Sequence, residues 1–147
     1  MENMMRRTTA PRSRPLGVWL LTIFDGFVAG VVPLLTAFAV IDGGGEGVPG
    51  GTMTAVLLAG LGLGILGAAI GAWQGSNRAR VVLLALLAIF YSLNIAISLR
   101  VATADWVPES AQAKSLATAV RGLFWLGINL WYFMRPQTRA WYRAMSK

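Results

Sequence analysis

The sequence predicts an all-α, polytopic membrane protein built as an antiparallel bundle of four transmembrane helices. Three observations carry this expectation. Hydrophobic residues fill 56% of the 147 positions and charged residues only 13%, about half the charged share of an ordinary soluble domain. Mean hydropathy is +0.60, and a chain this small has too little interior to hide so much apolar surface from water. The apolar residues also fall into four stretches, each of roughly the 20 residues that a helix needs to cross a bilayer core. An ordinary water-soluble enzyme and a disordered tail are both excluded, and one membrane domain accounts for the whole length.

In chain order, a basic N-terminal segment, 1–15, leads into a first span at about 16–41. That stretch exceeds the apolar core of a cleaved signal, about 7–15 residues, and it carries Asp25. It therefore reads as a retained span, although Ala37-Phe38-Ala39 has the small-x-small form of a cleavage site. Arg6-Arg7 lacks the hydrophobic continuation of a twin-arginine leader, being followed by Thr8, Thr9 and Ala10. Residues 42–51 (DGGGEGVPGG) form a glycine-rich turn without the Lys and Ser/Thr of a phosphate-binding loop. The second span covers about 52–73, a polar turn 74–80, and the third span about 81–101. A connector with Trp106, Pro108 and Glu109 precedes the fourth span, about 115–134, and a basic tail closes at 135–147. Short connectors make successive helices antiparallel neighbours.

The net charge of +7 sorts by side. Arg6, Arg7, Arg12, Arg14, Arg78, Arg80, Arg135, Arg139, Arg143 and Lys147 share one face with Glu2, for a net +9. Arg100 and Lys114 face Asp42, Glu46, Asp105 and Glu109 on the other, for a net −2. The positive-inside rule then predicts both termini in the cytoplasm, at the bacterial inner membrane. Basic flanks of this kind hold topology and attract anionic headgroups, so the excess charge predicts a lipid partner and no nucleic acid. In the tail, Arg135, Arg139 and Arg143 form one stripe with Trp141 and Tyr142 beside it, the pattern of a helix anchored at the lipid headgroups.

Within the spans, small residues mark packing surfaces. Gly60, Gly64, Gly67 and Gly71 follow helical spacing on the second span, and Gly26 and Gly30 do so on the first. Such faces let a backbone approach closely, inside the bundle or across to a second copy or another subunit. Polar residues form stripes too: Thr22 and Asp25, then Tyr91, Asn94 and Ser98, then Thr118, Arg121, Asn129 and Tyr132. A buried charge is costly in a bilayer, so these stripes should turn inward as a polar core, structural or lining a transport path. From the 1.5 Å rise per residue, Asp25 and Asn129 lie at nearly the same depth. Arg121 is level with Asn94, and an Asp25–Arg121 pair would span roughly 10 Å along the axis.

Chemistry is poorly supplied. There is no Cys and no His, and only six carboxylates. That predicts no disulfide, no metal centre, no bound cofactor and no nucleophile–base pair, hence a non-catalytic protein. The segment 20–24 (LLTIF) resembles 86–90 (LLAIF), with Arg14 and Arg80 ahead of each at the same distance.

Arg14-Pro15-Leu16-Gly17-Val18 resembles the entry to the first span of small prokaryotic polytopic membrane proteins. Residues 71–80 (GAWQGSNRAR) resemble their second turn, a Gly-x-Trp-x-Gly stretch followed by Ala-Arg. The resemblance covers about the first two-thirds of the chain and implies a class without an activity. A second comparison is with small multidrug resistance transporters, which have four spans and a membrane carboxylate in the first, where Asp25 stands. This chain departs in being longer, in having Asp where that family has Glu, and in holding Arg121 as a neutralising charge. The expectation is thus an accessory or scaffold subunit of a membrane complex, or a homo-oligomer. The alternative is a small transporter or channel with a polar path around Asp25 and Arg121.

Overall fold

The computed structural model describes residues 14–43 and 51–145. The basic segment 1–13, turn residues 44–50 and the last two residues, 146–147, lie outside the described residues, and with them Arg6, Arg7, Arg12, Glu46 and Lys147. Every element described is helical: α1 Leu16–Asp42, α2 Gly51–Trp73, α3 Asn77–Ala102, α4 Glu109–Met134 and a short α5, Pro136–Met145. Three of these, α1, α2 and α3, are long and apolar enough to cross a membrane. The sequence reading expected four. α4 matches α3 in length at 26 residues, but Glu109, Lys114, Arg121 and Asn129 reduce its apolarity.

α1 is not uniform. Its middle turn, Gly26–Val31, is a π-helix, in which the Val32 N–H bonds the Phe27 carbonyl five residues back. Pro33 supplies the reason, because its ring has no N–H to give and crowds the carbonyl four residues earlier. Widening the preceding turn relieves that conflict within a continuous helix. The stretch beyond, Val32–Asp42, packs chiefly on α2.

The α1–α2 crossing is set by small residues. A Cβ on Gly62 would stand 2.7 Å from the Gly30 carbonyl oxygen, and one on Gly30 would stand 2.8 Å from Leu66 Cγ. Gly26 faces Ala69 less tightly, a Cβ there standing 3.5 Å from the Ala69 Cβ, an ordinary contact distance. The buried face of α2 is therefore Ala55, Gly62, Ile65, Ala68, Ala69 and Ala72, and Gly60, Gly64 and Gly67 are exposed. Gly60 and Gly67 have nothing within 4 Å of a Cβ, Gly64 meets Leu86 at 3.4 Å, and Gly71 is pressed against Ala79 at 2.7 Å.

The turn into α3 is a compact helix stop and restart. Gly75 takes a left-handed φ of 93°, where only glycine is unstrained. Ser76 N–H bonds the Gly71 carbonyl and Gly75 N–H the Ala72 carbonyl, the paired bonds of a Schellman motif. Ser76 then caps α3, its hydroxyl oxygen accepting from Ala79 N–H at 3.2 Å. At the other end of α3, Gln112 donates to the Ala104 and Val107 carbonyls, both at 2.9 Å, and ties the connector to α4. α3 and α4 pack along their length, with Gly122 fitting beneath Ile95.

Pro136 ends α4 by holding Arg135 extended, at ψ 141°, and the chain turns back as α5. Here the structure corrects the expected anchor. Trp141 and Tyr142 are 3% and 0% exposed and belong to the same apolar cluster as Ile65, Leu83, Leu87 and Phe133. Only Arg135, Arg139 and Arg143 of that set face outward. The physical cause is the geometry around Gly75: with no Cβ there, Trp141 and Met145 close over the α2–α3 turn. Arg80 completes the seal. Its Nη1 donates to the Phe133 carbonyl at 2.7 Å, a group the broken α4 leaves without a helical partner, and its guanidinium lies over the Tyr142 ring. Burial holds the Tyr142 phenol above its ordinary range, only partly offset by Arg80.

Candidate functional site

The polar residues predicted to share a core separate into two groups. Near α5, Asp25, Tyr91 and Asn129 come together from three helices. Asn129 Nδ2 donates to Asp25 Oδ1 at 3.0 Å and to its own helix at the Trp125 carbonyl, 3.1 Å. The Tyr91 hydroxyl donates to the same Oδ1 at a long 3.5 Å. Asp25 and Asn129 are both fully buried. Phe24 stacks on Trp125 with ring centroids 4.3 Å apart, and the Tyr132 ring packs on Gly17. These contacts draw α1 onto α4 at this level. Thr22, also buried, gives its hydroxyl to the Val18 carbonyl at 2.6 Å and takes no part in the cluster.

Two oxygens here are left over. Asp25 Oδ2 and Asn129 Oδ1 are buried without a hydrogen-bond partner. Buried acceptors of this kind are rare and costly. A proton carried on Oδ2 would convert that oxygen into a donor, and Asn129 Oδ1 is the acceptor of the joined pair that lacks one.

The second group lies one to two helical turns farther from α5. Asn94 and Arg121 are exposed, and neither has a hydrogen-bond or ion-pair partner among the described residues. Both line a cleft of about 370 Å³ between α1, α3 and α4, walled by Val28, Val32 and Phe90 and bounded by Tyr91 and Trp125. Tyr91 thus belongs to both groups, lining the cleft while its hydroxyl reaches Asp25. Asp25 and Arg121 form no salt bridge. The Thr118 hydroxyl is occupied by the Lys114 carbonyl at 2.9 Å.

Sequence reasoning missed two participants. Arg80 reads as a topology charge, yet it is buried and caps α4; its spacing of 3, 7 and 11 residues from Leu83, Leu87 and Tyr91 was the available signal. Gly62 escaped because it stands off the more regular glycine line.

Among the described residues no three of His, Cys, Asp and Glu gather where they would hold a metal ion. No protein-family profile matches the chain, and no curated protein or solved structure is significantly similar to it.

Proposed function

We propose that this chain is a four-span protein of the bacterial inner membrane, both ends cytoplasmic, serving as a non-catalytic accessory or scaffold subunit of a larger membrane complex or of a homo-oligomer. α4 is the fourth span in this reading, its 26 residues giving roughly 39 Å of helix against a core of about 30 Å. The charge difference between the two faces sets its orientation.

The observation that supports the subunit reading most is the open pair Gly60 and Gly67 on α2, with exposed Gly64 between them. The fold already spends Gly26, Gly30 and Gly62 on its own α1–α2 crossing, whereas Gly60 and Gly67 meet nothing. In lipid, where no hydrophobic drive joins helices, a small-residue line is a surface for another helix. The test is a mild-detergent pull-down of the tagged protein from its native membrane, comparing wild type with a Gly60→Leu/Gly67→Leu variant. Stoichiometric partners, or a second copy, should accompany wild type and be lost from a variant of unchanged thermal stability. Recovery of wild type as a monomer would overturn the reading.

A second reading, a small transporter or channel, is favoured by the unpartnered Asp25 Oδ2 beside the cleft that holds Arg121. Asp25→Asn separates the two. A subunit keeps its assembly with this near-isosteric amide, and a proton-coupled transporter loses transport.

A further inference from the structure

Arg121 is a permanent cation on an otherwise apolar stretch of α4, flanked by exposed Val120, Leu123 and Phe124. No carboxylate of the described residues pairs with it. Guanidinium is never neutral in a protein and strongly prefers an oxyanion that accepts two N–H bonds at once. Asn94, on α3, faces the same cleft, and its amide is a second unused donor. The hydroxyl of Thr118 is spent within α4. A cleft with a cation and a free amide at its rim and apolar walls behind them matches an amphiphile with an anionic head.

We propose that this cleft binds an acidic phospholipid, with Arg121 and Asn94 on its phosphate and an acyl chain against Val28, Val32 and Phe90. Depth permits it. Met134 lies 13 residues beyond Arg121 on α4, roughly 20 Å along the axis, so in a core about 30 Å thick the Arg121 backbone sits roughly 10 Å below the opposite boundary. An extended arginine side chain covers most of that distance. Val32 on the cleft wall is exposed, as is Leu93 next to Asn94 in the chain, so the cleft borders exposed apolar surface. A lipid reaches such a surface within the bilayer, while a soluble anion would have to leave water first. A zwitterionic lipid brings its own cation and cannot compensate Arg121, so the net-negative headgroup is favoured.

The inference rests on α4 lying in the bilayer, which the experiment tests separately. Full-length protein is loaded with equal amounts of phosphatidylglycerol and phosphatidylcholine of identical acyl chains, and retained lipids are counted by native mass spectrometry. Wild type should retain one phosphatidylglycerol with a preference of about tenfold, the scale of one charge-assisted hydrogen bond. Arg121→Gln should abolish that preference, and Arg139→Gln, on the exposed face of α5, should leave it. Val28→Phe keeps the charge and fills the cleft; it should lose the lipid as well, at unchanged helical content. Equal retention by Arg121→Gln and wild type would overturn the proposal and assign the preference to the basic ends. Equal retention of both headgroups by wild type would overturn it while leaving α4 in the membrane. No retained lipid of either kind would overturn it together with the spanning reading. Displacement of the bound lipid by inorganic phosphate would assign the cleft to a soluble anion instead.

Discussion

The two ends of this molecule treat the same kinds of residue in opposite ways. Near α5, Asp25, Asn129, Tyr91 and Arg80 are buried and share hydrogen bonds across three helices and an interhelical break. Toward the far end, Arg121 and Asn94 stand on the same helices, one to two turns on, and bond to nothing described. The difference comes from α1. Up to Asp25 it packs on α2 and also reaches α4 through the Phe24–Trp125 stack. After the π turn and Pro33 it follows α2, and the space it leaves is the cleft. One proline and six residues of wide helix thus divide a closed polar centre from an open one.

The closed end should be the fragile one. Trp141→Ala removes a fully packed aromatic that joins α5 to the α2–α3 turn, a change that costs about 3–5 kcal/mol in a well-packed core. The expected outcome is a larger fall in thermal midpoint than Asn129→Leu, Ser76→Ala or Asn94→Leu produces, with new tryptic cleavage after Arg139 as α5 detaches. A loss of under about 1 kcal/mol would mean that α5 is loosely held, and the end is not closed after all.

Asn129→Leu comes next. It removes the better of the two hydrogen bonds to Asp25 and leaves a carboxyl group buried beside a long contact to Tyr91. A lost buried hydrogen bond to a charged or polar partner costs about 1.5–3 kcal/mol, readable as a lowered midpoint in detergent or nanodiscs. Asp25→Asn should cost clearly less, because two facing amides can exchange both bonds and leave fewer acceptors unpaired. If Asn129→Leu and Asp25→Asn destabilise equally, the orphaned Asp25 Oδ2 is not a point of acceptor excess.

A smaller effect sharpens the comparison from the backbone side. Ser76→Ala removes the capping oxygen from Ala79 N–H and should cost about 1 kcal/mol, with Ser76→Asn close to wild type. The measurement is again the midpoint, and equality of Ser76→Ala with wild type would show that the Schellman bonds and Gly75 alone stop and restart the chain.

These contrasts also mark what the sequence could disclose. Helical content and apolar length are written in composition, so α1, α2 and α3 are legible as membrane-crossing helices. The common depth of Asp25 and Asn129 follows from counting residues, and a 3.0 Å bond joins them. The face of α2 is another matter. That helix is small or apolar on every side, so no polar stripe marks its outside, and the regular Gly60–Gly64–Gly67 line drew attention from Gly62, which makes the close approach. For α5 the arginine stripe is plain, but the aromatic face opposite suits lipid and protein equally. Only the missing Cβ of Gly75, far away in sequence, decides for protein. The π turn had its signal in Pro33 with Gly26 and Gly30 upstream, yet proline alone does not say whether a helix bends, breaks or widens.

The least effect is expected from Asn94→Leu, and it bears most directly on the comparison. Asn94 is the same residue type as Asn129, on a neighbouring helix, and differs in having no partner and in being exposed. Without a bond to lose, replacement by leucine should change the midpoint by no more than about 0.5 kcal/mol, and in a bilayer the apolar side chain should raise it if it changes at all. The lipid preference is a separate readout and should fall, since the amide is one of the two donors at the cleft rim. A drop in stability on the scale of Asn129→Leu would require a partner for Asn94 in the membrane. Among the described residues, α1 and, on α4, Arg121 and Thr118 line this cleft and are near enough to supply one. In that event α1 closes onto α4 along its whole length in lipid, and the open end becomes a second conformation of the closed one.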